Sequence, residues 1–197
     1  MPDESALIES LRRCEPDSFT RLFEAYSDRI YRLAVRFLND PAEAEEIVQD
    51  TFLTICEKID SFEGRSKLGT WIYRIAANHA LMRLRTRKRV GPSLDNDPGE
   101  DDEAIMPGLL NDWSQAPESI TANTESIAEM ERAIAALPDA LRTAFVLRDL
   151  EELSTEEAAE TLGISPGALK VRLHRARLLL REKLSAYFAE RVTAGEE

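Results

Sequence analysis

The 197-residue sequence predicts an all-α protein: two small helical domains joined by an acidic flexible linker. Three observations predict it. Apolar residues recur at helical spacing through 16–39 and again through 41–59. From Ser154 to Arg181 the chain spells a capped helix, a turn at Gly163 and a basic second helix. Between these regions, Val90 to Glu125 holds nine acidic residues and no basic one, and Pro92, Pro98, Pro107 and Pro117 interrupt it, so it cannot bury a core of its own. The expected limits are a first domain at 1–90, the linker at 91–125, a second domain at 126–190 and a disordered tail at 191–197.

The first helix is expected from Ser5 to Cys14, and the second from Pro16 or Asp17 to Asn39, with Phe19, Leu22, Phe23, Tyr26, Ile30, Leu33, Ala34 and Phe37 at core spacing. Asn39-Asp40-Pro41 closes that helix and opens a third, which runs to about Ile59. Its inward set is Ala44, Ile47, Val48, Thr51, Phe52 and Ile55. The opposite face carries Glu46, Gln49, Asp50, Leu53 and Glu57, so Leu53 falls among acids. An apolar residue ringed by carboxylates suggests a partner surface, although single exposed leucines are common.

Ser61 to Thr70 is a loop with two glycines and two cations, and it leads into a helix beginning near Trp71. From Arg65 to Arg89 there are eight basic residues and no acidic one, which sets this segment apart from a chain whose formal net charge is −12. Phe62, Trp71, Arg74, Asn78, Arg83, Arg85, Arg87 and Lys88 interleave aromatic faces, cations and an amide. Single-stranded or melted nucleic acid requires that mixture: stacking surfaces, phosphate partners and base-edge contacts. Taken alone, Trp71 reads as core beside Ile72 and Ile75.

In the second domain Ser154 and Glu157 stand as the two halves of a capping box. Ala158, Ala159 and Leu162 face inward, Gly163 supplies the positive φ of the turn, and Ser165 with Pro166 restarts the chain as a helix. Leu169, Leu173, Ala176 and Leu180 anchor that helix and leave Lys170, Val171, Arg172, His174, Arg175 and Arg177 on its surface. No acid lies between Lys170 and Arg181, so the helix suits a major groove. The ordinary alternative is an amphipathic hairpin with a solvated basic face.

Other classes are disfavoured. No segment approaches a membrane-spanning length and Met-Pro-Asp-Glu-Ser lacks a signal-peptide pattern, so a cytoplasmic location without membrane insertion is expected. Cys14 and Cys56 form no CxxC pair, and both are expected reduced, with Cys56 in the core. No metal-ligand spacing, cofactor motif or nucleophile–base pair occurs, and His79 and His174 both lie in basic helices, so no catalytic residue, metal or cofactor is expected.

Taken in order, these parts resemble the extracytoplasmic-function group of bacterial sigma factors, of sigma-70 type. The resemblance runs from about Asp17 to Leu184. The segments that carry it are Phe19-x-x-Leu22-Phe23-x-x-Tyr26, Ala44-Glu-Glu-Ile47-Val-Gln-Asp50-Thr-Phe52-Leu53, Thr70-Trp71-Ile-Tyr73-Arg74-Ile75-Ala76-x-Asn78 and Leu137-Pro138-x-x-Leu141-Arg142, followed by Glu157-x-Ala159-x-x-Leu162-Gly163-Ile164 and Val171 to Arg177.

The resemblance implies a promoter-specificity subunit whose partners are core RNA polymerase, through its β′ and β subunits, promoter DNA and an anti-sigma factor. It places Glu46, Gln49, Asp50 and Leu53 on the polymerase-binding helix of a region 2-like domain. The loop Phe62 to Thr70, with Arg65, Ser66 and Lys67, would hold a base flipped from the −10 element. Trp71, Arg74, Asn78, Arg83, Arg85, Arg87 and Lys88 would continue that site. In a region 4-like domain, Ser165, Lys170, Val171, Arg172, His174, Arg175 and Arg177 would meet the −35 duplex, with Arg172 and Arg177 as phosphate or polymerase contacts. The linker resembles the connector threaded through the polymerase cleft, where its acids would mimic RNA. The competing function is a stand-alone helix-turn-helix regulator, which would bind duplex DNA without polymerase.

Overall fold

The computed structural model describes residues 4–90 and 124–194, with backbone only at 88–90, 124, 186 and 188–194. The linker expected at 91–125 lies outside the described residues as far as 123, and so do 195–197 of the expected tail. The chain divides into two compact units, Met1–Ser93 and Leu94–Glu197. Every regular element among the described residues is helical.

In the first unit, α1 (Glu4–Arg12) stops two residues before the expected Cys14, because Cys14 takes a left-handed φ of 55°. Its amide donates to the Leu11 carbonyl at 3.0 Å, and the Glu15 amide donates to Ser10 at 3.1 Å. α2 (Pro16–Leu38) begins on a proline and ends at Asn39, left-handed with φ 52°, whose amide donates to Val35 at 2.7 Å. Asp40 then caps α3 (Pro41–Lys58), its carboxylate accepting from the amides of Ala42 and Glu43 at 2.9 and 3.2 Å. A 3-10 turn, Ile59–Ser61, and a loop lead to α4 (Leu68–Val90).

Helices α2, α3 and α4 pack on one another, and α1 packs on α2 and the 3-10 turn. Leu22, Ile30, Leu33 and Phe37 of α2 meet Ala44, Ile47 and Ile55 of α3, all fully buried. From α4 come Leu68, Ile72, Ala76, Ala77 and Ala80, whose small side chains permit close approach. Two core expectations are corrected. Phe23 is 51% exposed, since it stands one residue round from the buried Leu22, although its ring still contacts Phe52, with centroids 4.9 Å apart. Cys56 is exposed, as is Cys14, because Ile55 takes the inward position.

In the second unit, α5 (Thr124–Ala135) precedes α6 (Asp139–Phe145), which continues into a π-helical turn, Val146–Leu150. Helix α7 (Thr155–Leu162) and helix α8 (Pro166–Ala194) follow, so α8 runs into the expected tail. The capping box is formed: the Glu157 amide donates to Ser154 Oγ at 3.1 Å and the Ser154 amide to Glu157 Oε2 at 2.9 Å. Gly163 has φ 70°, and Ser165 Oγ accepts from the Ala168 amide at 3.1 Å.

The unit is pinned by Arg142, which is 4% exposed. Its guanidinium donates to the carbonyls of Leu137 at 2.8 Å and Ala135 at 3.3 Å, and to the Asp139 carboxylate at 2.5 Å. Removing it leaves the buried Leu137 carbonyl without this donor and loosens two part-buried acceptors, so Arg142→Ala is expected to cost about 3 kcal/mol. Gly163→Ala forces a Cβ into the left-handed region and is expected to cost about 1 kcal/mol. Urea unfolding, with hydrogen exchange of the α6–α8 amides to localise the loss, checks both; a smaller loss for Arg142→Ala than for Gly163→Ala refutes the ordering.

Candidate nucleic-acid interface

The cross-links between α3 and α4 run in opposite senses along the two helices. Glu43 meets Arg87, Glu46 meets Arg83, and Thr54 Oγ1 lies 2.9 Å from His79 Nε2. The helices are therefore antiparallel, and each keeps one face outward. On α3 that face holds Glu46, Gln49, Leu53 and Glu57, all exposed, with Asp50 half-buried. Leu53 is 63% exposed, so an apolar group does stand among acids.

On α4 the outward stripe consists of Trp71, Asn78, Met82 and Arg85, at intervals of seven, four and three residues that bring them to one side. Asn78 and Arg85 are exposed, while Trp71 and Arg74 are half-buried. Met82, 67% exposed, is missing from the residues picked out of the sequence. Its spacing of four from Asn78 was the available signal.

Ahead of α4, Arg65 and Lys67 are exposed and Ser66 half-buried, on a loop that turns at Gly64 with φ 71°. Arg65 pairs with Glu63 at 2.6 Å. Phe62, expected to face the nucleic acid, is instead 4% exposed, with its ring centroid 5.2 Å from that of Trp71. Apolar burial turns it inward, where it supports the loop and one side of Trp71.

Two expected phosphate contacts are tied down elsewhere. Arg83 is ion-paired with Glu46. Arg87 donates to the Leu38 carbonyl at 2.8 Å and pairs with Glu43 at 2.9 Å and Asp40 at 3.4 Å, fastening α4 to the α2–α3 corner. Lys88 falls where side chains are not described.

In the second unit Leu169, Leu173, Ala176 and Leu180 of α8 are buried. Lys170 is exposed, and Val171, Arg172, His174 and Arg175 are half-exposed beside it. Ser165 is engaged as the cap of α8. Arg177 departs from expectation: its Nε and Nη2 donate to the two carboxylate oxygens of Asp149, at 2.9 and 2.7 Å. That bidentate hydrogen bond raises the guanidinium pKa above its ordinary value. Arg177 thus joins α8 to the π-helical turn. No group of three or more His, Cys, Asp and Glu among the described residues could hold a metal.

Residues 22–90 match the family model for Sigma-70 region 2, and residues 127–180 that for Sigma-70 region 4. Over 177 residues, 90% of this chain and 94% of the relative, the sequence is 34% identical to the ECF RNA polymerase sigma factor SigW of Bacillus subtilis. The chain belongs to the extracytoplasmic-function group of the sigma-70 family. It is 33% identical to the RNA polymerase sigma-H factor of Pseudomonas aeruginosa, across 95% of this chain and 96% of that one. Among solved structures it is similar to the sigma factor RpoE of Bartonella quintana, in complex with the anti-sigma factor NepR. That likeness has a TM-score of 0.60 and 25% identity, over 85% of this chain and 96% of the other. This is an ECF RNA polymerase sigma factor, and the stand-alone regulator is not favoured. Sigma factors are non-catalytic initiation factors as a class, and no helix among the described residues is long and apolar enough to cross a membrane.

The tie to Asp149 separates Arg177 from a phosphate contact by experiment. Lys170→Ala is expected to reduce the slope of log K against log salt for −35 duplex binding by about 0.9. Arg177→Ala is expected to weaken binding while leaving that slope in place, and Asp149→Ala is expected to do the same. A slope loss at Arg177 equal to that at Lys170 would make it a phosphate ligand.

Proposed function

We propose that the outward face of α3, with Glu46, Gln49, Asp50 and Leu53, binds the β′ subunit of core RNA polymerase, and that the loop and α4 bind the melted −10 element. The observation that carries this reading is the antiparallel α3–α4 pair, which supports an acidic face with an exposed leucine on one helix and a basic, aromatic stripe on the other. Arg65, Ser66 and Lys67 surround the captured base, while Asn78 and Arg85 hold the strand beside Trp71 and Arg74. Met82 adds an apolar contact. Phe62, Arg83 and Arg87 act by positioning these groups.

In the second unit Lys170, Val171, Arg172, His174 and Arg175 face the −35 duplex in the major groove, with Ser165 and Arg177 fixing the pose of α8. The functional limits are 1–90 for polymerase binding and opening, 91–125 for a connector, and 126–190 for −35 recognition. The protein acts in the cytoplasm and has no catalysis of its own; the polymerase carries out phosphoryl transfer. An anti-sigma factor covers these faces when the protein is idle, a reading supported by the neighbour solved with such a partner.

The test is transcription by purified core polymerase with and without the protein, on a library of genomic fragments with start sites mapped. Defined new start sites sharing two spaced upstream elements are expected. Duplex binding without new start sites would return the stand-alone regulator. Asp50→Ala with Leu53→Ala is expected to lower core affinity about tenfold or more and to leave −35 duplex binding intact. Asn78→Ala is expected to slow strand opening about tenfold, followed by permanganate reactivity of unpaired thymines, with duplex binding unchanged. Equal losses in both steps would remove Asn78 from the opening site.

A further inference from the structure

Helix α1 precedes the residues matched to Sigma-70 region 2, which begin at 22. It nevertheless holds the loop before α4 at both ends. At one end Arg12 Nη2 donates to the Phe62 carbonyl at 2.5 Å. At the other, the Leu68 amide donates to Glu4 Oε1 at 2.7 Å. Leu68 is the first residue of α4, where the leading amides have no partner within the helix and the dipole favours an anion. Glu4 therefore caps α4 from another helix, across 64 positions of sequence.

Apart from the buried Phe62 and Leu68 at its ends, the loop has little else to define its path. Gly64 is left-handed, and a Cβ there would meet nothing within 4 Å. The Arg65–Glu63 pair is 86% and 62% exposed, so solvent screens it. Between the two ties, α1 and the loop are separated by a hollow of about 350 Å³ lined by Ser5, Ile8, Glu9 and Arg12 of α1 and by Phe62, Glu63 and Gly64. Polar ties at the ends, rather than packing between them, thus link the loop to α1.

The brace is itself anchored. Leu11 is wholly buried, which fixes the C-terminal turn of α1 beside Arg12. The two tie residues stand two turns apart, roughly 12 Å along the axis, so a rigid helix sets the separation of the loop's ends. At the far end Glu4 also lies near Tyr26, whose phenol pKa is raised by burial first and by the Glu4 charge next. Gly69, one residue into α4, faces the same tyrosine, with its Cβ position 3.4 Å from the Tyr26 ring.

We propose that α1 is a brace for the −10 loop, and that Glu4 and Arg12 are positioning residues that set promoter base selection without touching DNA. The proposal rests on the reading of this loop as the −10 base site. With its ends held, the loop presents one geometry to an extruded base. With either end released, the loop samples several, and discrimination between bases falls.

The experiment uses the full chain with core polymerase on a promoter library randomised across the −10 element. Glu4→Ala and Arg12→Ala are each expected to reduce base preference in that element about fivefold, with −35 binding and core affinity kept. Glu4→Gln keeps an acceptor and Arg12→Lys keeps a donor, so both are expected to restore most of the preference. The combined variant Ser66→Ala with Lys67→Ala serves as the loop control. If it flattens the preference while Glu4→Ala and Arg12→Ala do not, the brace is overturned and the loop assignment stands. If it leaves the preference unchanged, the loop assignment fails and the brace falls with it. Hydrogen exchange covers the case of general unfolding: loss of protection confined to 62–68 supports the brace, and loss throughout α2–α4 makes α1 a general stabiliser and overturns it.

Discussion

The antiparallel seam between α3 and α4 is the constraint on which the first unit depends. In a chain of net charge −12, a cation is within reach of a carboxylate almost anywhere, so presenting cations to DNA requires deciding which are already engaged. The seam makes that decision. Ile47 and Ala44 of α3, with Ala76 and Ala80 of α4, are fully buried and fix the rotation of both helices. At that rotation Glu43 and Glu46 face Arg87 and Arg83, while Arg85 points away. Turning α4 by one residue, about 100°, would carry buried alanines into solvent and Asn78 toward the core. Apolar packing thus selects the exposed charges, although the ion pairs contribute little to stability at such exposure.

The second unit reaches a similar result by local means. The capping box at Ser154, the left-handed Gly163 and the Ser165 cap define where α7 ends and α8 begins. Burial of Leu169, Leu173, Ala176 and Leu180 sets the roll of α8. Arg177 and Asp149 then join α8 to the π-helical turn, and Arg142 holds the preceding corner through two carbonyls and a carboxylate. An arginine used this way gives rigidity to the helix that carries Lys170 and Arg175. Its planar fork suits two oxygens at fixed spacing, which a lysine would not reproduce.

What the sequence made legible was local. Helical periodicity, the caps at Asp40 and Ser154 and the turn at Gly163 each depend on residues within a few positions, and the helices formed within two residues of the expected limits in α1, α2 and α3. The exposed Leu53 followed from spacing along a single helix. What was not legible depended on register between helices. Arg83 and Arg87 look alike in sequence to Arg85, and only the partner helix distinguishes them; Arg177 likewise shows its tie to Asp149 only in the fold. Phe62 was misread because an aromatic beside cations has the same local pattern whether it stacks on a base or on Trp71. Phe23 and Cys56 each stand one residue, about 100°, round from the buried Leu22 and Ile55, a step that an apolar pattern does not resolve until the packed face is known.

The energetics of strand opening explain why such fixed geometry matters in so small a unit. Extruding a base costs a few kcal/mol, and the site must recover that from contacts made with the base. A loop that had to order itself at the same moment would lose about 1–2 kcal/mol for each residue fixed. Two or three residues would then cancel the capture. The order must exist before the DNA arrives, which requires ties formed when the unit folds. Glu4 and Arg12 are bonded to the ends of the loop in the protein alone, and the Phe62 ring already packs against Trp71. On the proposed reading of this loop as the −10 base site, binding energy from the base is then left to act on the base, and selection and opening become one event.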